Sequence, residues 1–101
     1  MTKIIKLVNK GYFKSLLQRA KIEPTKHTFF HVHIGQRNIY NITYIKKLTK
    51  RTPVLVGIQK NSLYAAYYKI QRGYTKVIME RKGNTFKIIT FLNTGRIPKI
   101  R

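Results

Sequence analysis

Three histidines near residue 30 are the best candidates for metal binding in this sequence. His31 and His33 are two residues apart and would share one face of a strand, because side chains alternate between the faces of a sheet. His27 could add a third ligand, but structural zinc needs four, and the chain has no cysteine and no carboxylate close to these histidines. We therefore predict no metal and no cofactor, and we expect the histidines to occupy strand positions or to contact RNA.

Acid–base chemistry is limited by the acidic residues, of which the chain has only two, Glu23 and Glu80. Nucleases of the two-metal type need several convergent carboxylates to hold their cations. The glycines stand singly, so the sequence contains no phosphate-binding loop and no nucleophile elbow. The sequence therefore predicts a protein that is not an enzyme and has no small-molecule substrate.

The net charge indicates the class of partner. Twenty-two Lys and Arg residues face two acids, which gives +20 on 101 residues. Such a chain repels itself unless a polyanion neutralises it, and the usual polyanion is a nucleic-acid backbone. No apolar run approaches the ~18–20 residues that span a bilayer, so we expect no membrane partner. The alternatives are a free-standing nucleic-acid-binding protein and a membrane-surface peptide formed by the basic N-terminus.

Residues 1–26 form a basic amphipathic extension, and residues 27–101 form a single α/β RNA-binding domain in this interpretation. Leu16 and Leu17, with Phe13 and Ala20, fit the spacing of one helix face, which predicts an N-terminal helix that docks on the domain. The same basic and apolar composition is typical of a mitochondrial presequence, which is the alternative for this segment.

The rest of the chain predicts strands and two further helices. Strands are predicted from β-branched and aromatic composition at residues 30–34, 39–45, 54–58, 74–79 and 96–100, with a basic loop at 46–53 and a tight basic turn at 80–84. One helix is predicted between a cap at Asn61 or Ser62 and a stop at Gly73, and another between Asn84 and Gly95. The predicted fold class is α/β, a mixed β-sheet with two helices packed on it, plus the N-terminal basic helix.

Four stretches of the sequence resemble a known family. They are GIQKNSLYAA at 57–66, HVH followed by NIYNIT at 31–43, KVIMERKG at 76–83 and IITFLNTGRI at 88–97. In order and character they are similar to the family of small-subunit ribosomal protein 11. The resemblance covers roughly residues 28–100 and implies a mixed α/β fold in which a basic loop runs into a helix at 57–66.

The resemblance also implies a function and a place in the cell. The family's members are structural constituents of the small ribosomal subunit, where they bind rRNA on the platform beside neighbouring small-subunit ribosomal proteins. The bias towards Ile, Lys, Asn and Tyr suits an AT-rich genome, so we expect the mitochondrial ribosome. Another organelle, or the cytoplasm of an organism with such a genome, is the alternative. A large-subunit protein of the related protein 18 fold is the alternative within ribosomes.

RNA contacts are expected from loop cations, which would neutralise phosphates, and from polar residues at helix starts, which would add hydrogen bonds. An exposed tyrosine would stack on a base. The predicted RNA-binding residues are Lys46, Lys47, Lys50, Arg51, Lys60, Asn61, Ser62, Tyr64, Lys82, Gly83, Asn84, Arg96, Lys99 and Arg101.

Overall fold

The computed structural model describes residues 3–24 and 42–98. In chain order the elements are β1 (Ile4–Leu7), α1 (Lys10–Arg19), β2 (Lys21–Pro24), α2 (Ile42–Thr49), β3 (Leu55–Gln59), β4 (Tyr64–Lys69), β5 (Tyr74–Lys82) and β6 (Thr85–Thr94). The strands form one mixed sheet, and both helices pack on it. The predicted fold class, a mixed sheet with helices packed on it and a basic N-terminal helix, is confirmed.

The strand order across the sheet is β1-β3-β4-β5-β6-β2. Strands β3 to β6 form an antiparallel meander, β1 pairs antiparallel with β3, and β2 pairs parallel with β6. Because β1 and β2 lie at opposite edges, α1 must cross one face of the sheet to connect them. Residues 4–24, which fall within the predicted N-terminal extension, therefore supply both edges of the described sheet and the helix between them.

The main core lies between the sheet and the two helices. Phe13 and Leu17 of α1 are fully buried, as is Ile45 of α2. The sheet contributes Val56, Ala66, Tyr68, Val77, Met79, Phe86 and Ile88 to the same cluster. Burying each large apolar side chain contributes about 1.5–3 kcal/mol, so α1 is held mainly by its apolar face. The docking helix predicted from the apolar spacing is confirmed.

A second cluster covers the opposite face of the sheet. Ala65, Tyr67 and Ile78 are buried there, and Ile97 packs against them after the chain leaves β6. Strand β4 is consequently buried on both faces, by Ala65 and Tyr67 on one side and by Ala66 and Tyr68 on the other.

The helix predicted between residues 61 and 73 is wrong, since this stretch contains β4. A strand buried on both faces carries a continuous apolar run without the alternation of a half-exposed strand, so its period does not identify it. The cap at Asn61 or Ser62 and the stop at Gly73 then favoured a helix. Gly73, predicted as the helix stop, lies in the β4–β5 turn with φ of 91°.

The helix predicted between Asn84 and Gly95 is also wrong, since β6 occupies residues 85–94. The pairing with β5 shifts by one residue between Ile78 and Met79, so Ile89 is an extra residue in β6. This β-bulge interrupts the alternation of inward and outward side chains. Phe86, Ile89 and Leu92 are three residues apart in the sequence and imitate a helical stripe, although Phe86 and Ile89 face opposite sides of the sheet.

Other predictions differ in outcome along the chain. The strands at 54–58 and 74–79 are confirmed by β3 and β5. The turn predicted at 80–84 is confirmed only at Gly83 and Asn84, because residues 80–82, which carry its charge, belong to β5. The strand at 39–45 and the loop at 46–53 are wrong where α2 covers them, because the buried Ile45 and Leu48 follow helical spacing. Residues 96–98 form no strand, and the strand at 30–34 lies outside the described residues.

Candidate nucleic-acid interface

Two turns bring several of the predicted residues to one end of the sheet. In an antiparallel meander the β3–β4 and β5–β6 turns lie at the same end, about 10 Å apart at two strand spacings. Lys60, Asn61 and Ser62 lie in the first turn, and Gly83 and Asn84 form the second. We call the surface formed by residues 60–62 and 81–84, together with Lys3, Arg19 and Lys21 that are hydrogen-bonded to it through the backbone, the turn end.

The β3–β4 turn is a tight hairpin with an unusual backbone. Ser62 N donates to Gln59 O (2.9 Å), and Ser62 adopts the left-handed φ of 71° that closes such three-residue loops. The Asn61 side-chain oxygen accepts from Gln59 Nε2 (3.1 Å) and Leu63 N (3.2 Å). Asn61 and Ser62 therefore stabilise a hairpin loop and do not cap a helix. Lys60, the first residue of this loop, is exposed.

The β5–β6 turn is a two-residue hairpin loop tied to the end of α1. Lys82 pairs with Thr85, and Gly83 supplies φ of 60° at the first loop position, as type II′ turns require. Asn84 O accepts from Lys21 N (3.0 Å), and Asn84 Nδ2 donates to Arg19 O (3.4 Å). These bonds make Arg19 and Lys21 part of the turn end.

Positive charge dominates this end of the molecule. Its exposed cations are Lys3, Arg19, Lys21, Lys60, Arg81 and Lys82. Both acids of the chain lie near it, Glu23 paired with Lys21 at 3.0 Å and Glu80 with Lys82 at 4.0 Å. Exposed pairs of this kind contribute only about 0–1 kcal/mol, and six cations against two acids leave four positive charges unbalanced.

Tyr64 is among the predicted RNA-binding residues, and in the structure its half-buried ring packs against the main core. It stacks on Phe13 with ring centroids 5.6 Å apart and meets the edge of Phe86, also at 5.6 Å. Phe13 and Phe86 meet edge to face at 5.8 Å. These three rings, the aromatic cluster, join α1 to β4 and β6 directly beneath the turn end.

Arg81 covers this cluster and was not among the predicted residues. Its guanidinium lies 5.8 Å from the centroid of the Phe86 ring, and its Nε donates to Gly83 O at 3.2 Å. Hydrogen bonding to the Tyr64 hydroxyl, and less strongly to that of Tyr12, raises the pKa of Arg81 above its ordinary value. Alternation along β5 is the signal that could have placed Arg81 on the helical face, two residues beyond Met79.

The second group of predicted cations lies on and just after α2. Lys46, Lys47, Lys50 and Arg51 are exposed on the helical side of the sheet. The Lys50 ammonium donates to Leu17 O near the end of α1, where a cation is favourable for the free carbonyls and the helix dipole. Lys50 thus joins the two helices, while the other three cations point to solvent.

The remaining predicted residues lie elsewhere. Arg96 follows β6, whose ten residues span about 30 Å from the turn end, so the structure does not bring Arg96 to that surface. Lys99 and Arg101 lie outside the described residues, as do the three histidines.

Within residues 3–24 and 42–98, no group of three or more potential metal ligands comes together. Neither described helix is long and apolar enough to cross a bilayer. Comparisons of the chain with protein-family models, characterised proteins and solved structures give no match. The fold and its surface therefore define only a class, a small α/β protein with a strongly basic surface.

Proposed function

We propose that this protein is a non-catalytic RNA-binding protein that neutralises phosphates through the turn end and the α2 cations. The observation that carries the proposal is the unbalanced charge of the turn end, where six exposed cations face two acids that are already paired. Cations of this kind bind phosphates largely irrespective of base sequence and release counterions on doing so.

The proposed place of action is the small ribosomal subunit, in the mitochondrion. There rRNA and neighbouring ribosomal proteins would supply the negative charge that the chain lacks. The support is the sequence resemblance together with the net charge of +20. The fold adds no support, because the stretches 57–66 and 88–97, expected to contain helices, include β4 and β6 instead.

The two turns would act as a pair of phosphate contacts. β5 extends three residues past its last pairing with β4, at Tyr64 and Met79, so the β5–β6 turn projects beyond the β3–β4 turn. An RNA backbone lying across the sheet end could contact Lys60 at one turn and Lys82 at the other. The hydrogen bonds of Asn61 and Asn84 hold both turns in shape without a ligand.

Salt dependence of binding tests this proposal. The affinity of the full-length protein for a labelled single-stranded RNA should fall steeply with salt, with a log–log slope of about −0.7 per neutralised phosphate. Lys60→Gln and Lys82→Gln should each make that slope shallower by about 0.7.

The matched control is Arg72→Gln. Arg72 is exposed in the β4–β5 turn at the opposite end of the sheet, so the same loss of charge should leave the slope unchanged. Absence of salt-dependent RNA binding by the wild-type protein would refute the proposal. If Arg72→Gln made the salt slope as shallow as Lys60→Gln and Lys82→Gln do, the turn end would not be a specific part of the RNA interface.

A further inference from the structure

Tyr12 presents an aromatic side chain to solvent beside the turn end. Its side chain is 56% exposed, although the next residue, Phe13, is fully buried in the aromatic cluster. The backbone of Tyr12 is fixed, because its N–H donates to the Asn9 cap of α1 at 2.9 Å. Tyr12 is therefore an exposed ring on a rigid support.

The rings of the other described tyrosines already pack against side chains of the protein. Tyr64 stacks on Phe13, and Tyr68 is buried in the main core. On the opposite face of the sheet, Lys69 lies over the ring of Tyr74 at 5.2 Å and Lys76 over that of Tyr67 at 5.6 Å. Among the tyrosines whose side chains the structure describes, Tyr12 is the one with a largely exposed ring.

Arg81 lies next to this ring: its guanidinium stands over Phe86, whose ring meets that of Phe13, the neighbour of Tyr12, and it hydrogen-bonds to the Tyr12 hydroxyl. Among the described residues it has no acidic partner. The aromatic cluster and the Gly83 carbonyl fix its guanidinium, and both glutamates pair with lysines. Successive residues alternate across a strand, so Glu80 points to the other face of the sheet. A planar, uncompensated guanidinium beside an exposed phenol ring offers both a stacking surface and a phosphate donor.

We propose that Tyr12 and Arg81 form a stacking site for one unpaired base, which makes the protein prefer single-stranded RNA to duplex. This inference rests on the proposed RNA binding and specifies the class of RNA that is bound, single-stranded rather than duplex. Bases within a duplex are stacked on their neighbours and closed to side chains, whereas an unpaired base can leave the stack and lie on Tyr12. The phosphate next to that base would then contact Arg81 on the same face of the sheet.

A substitution to tryptophan gives a direct readout, because the chain contains no tryptophan. In Tyr12→Trp the fluorescence should be quenched when a single-stranded uridine- and adenine-rich RNA is added. A duplex of the same length, added at concentrations that saturate phosphate binding, should leave it unchanged. Equal quenching by both RNAs, or by neither, would overturn the inference.

Affinities provide the second readout. Tyr12→Ala should weaken binding of the single-stranded RNA by about 5- to 150-fold, the range for the loss of one base–aromatic stack, with little effect on the duplex. Leu92→Ala is the matched control, since Leu92 is 48% exposed and lies on β6 away from this surface. Arg81→Lys should weaken single-strand binding without altering the salt slope, and Arg72→Lys should change neither.

The outcomes separate the two proposals. If the wild-type protein binds RNA but Tyr12→Ala binds the single strand as tightly as Leu92→Ala, the stacking site is refuted and phosphate binding stands. If the wild-type protein shows no salt-dependent binding of either RNA, the proposed function fails as well. Thermal unfolding of each variant, followed by circular dichroism, excludes misfolding as the cause of a loss.

Discussion

Tyr68 shows how a single polar atom inside the core makes stability depend on pH. It is the largest of the fully buried side chains, and its hydroxyl donates to Thr49 O at 3.4 Å, across the interface between β4 and α2. Burial raises the pKa of Tyr68 well above its ordinary value of 10.0. The folded protein therefore keeps a proton that the unfolded chain loses once the pH passes that value.

We expect the free energy of unfolding to fall as the pH rises above 10.0, because only the unfolded chain can ionise this tyrosine. Tyr68→Phe should lose about 0.5–1.5 kcal/mol near neutrality, where the hydrogen bond is removed. The same variant should show a shallower alkaline decline. Urea unfolding of both proteins at about pH 7 and about pH 11 measures the two effects.

Two neighbours on the other face also contribute to the alkaline behaviour. Burial raises the pKa of Tyr67 and lowers that of Lys76, so Tyr67 adds to the decline and Lys76 opposes it. Both are present in the wild type and the variant, so the difference between the two curves isolates Tyr68. Identical declines in the two proteins would contradict the assigned role.

At the scale of elements, the pairing of β1 with β3 depends on Gly57. A Cβ atom added there would lie 2.4 Å from Ile4 Cγ2 and 2.8 Å from Lys6 O, both in β1. The second contact is with backbone, which cannot rotate away. The glycine that begins the GIQKNSLYAA stretch is thus explained in this fold by the close approach of the edge strand.

Gly57→Ala should destabilise the protein by about 1–3 kcal/mol, because β1 must shift away from β3. Gly95→Ala is the control, since nothing lies within 4 Å of a Cβ at that position. Chemical denaturation of both variants compares them directly. Equal stability of the two would show that β1 does not pack on Gly57 as described.

The sequence predicted some elements and missed others for identifiable reasons. α1 was found because Phe13 and Leu17 repeat at helical spacing among basic and polar residues of the same segment. β5 was found because its β-branched residues precede the turn signal at Gly83. β4 was missed because it is buried on both faces, and β6 because the bulge at Ile89 breaks its alternation.

The candidate interface was only partly predictable for a different reason. Lys60 and Lys82 could be predicted as RNA contacts because they lie next to turns. That both turns lie at the same end of the sheet follows from the strand order, which no local sequence pattern reveals. Arg81 and Tyr12 are 69 residues apart in the numbering and meet only because α1 crosses the sheet. Residue spacing and composition do not predict long-range contacts of this kind.

For the whole molecule, charge is the property that needs a partner. Both acids already pair with lysines, so no internal rearrangement of the described residues can compensate a net charge of +20. The self-repulsion of such a chain is relieved by salt, or more effectively by a bound polyanion. The described cations lie at the turn end, on both helices, on central and edge strands and in the β4–β5 turn, so an enclosing polyanion fits better than a single small ligand.

The most direct test of RNA binding is to crosslink the protein to nucleic acid in its own cells, and then to sequence what is attached and map the crosslinked peptides. We predict sharp peaks in small-subunit rRNA, with crosslinks at the turn end and at Tyr12. Peaks in large-subunit rRNA would keep the RNA-binding proposal and move the protein to the other subunit. Recovery of DNA alone, or of no nucleic acid, would contradict the account.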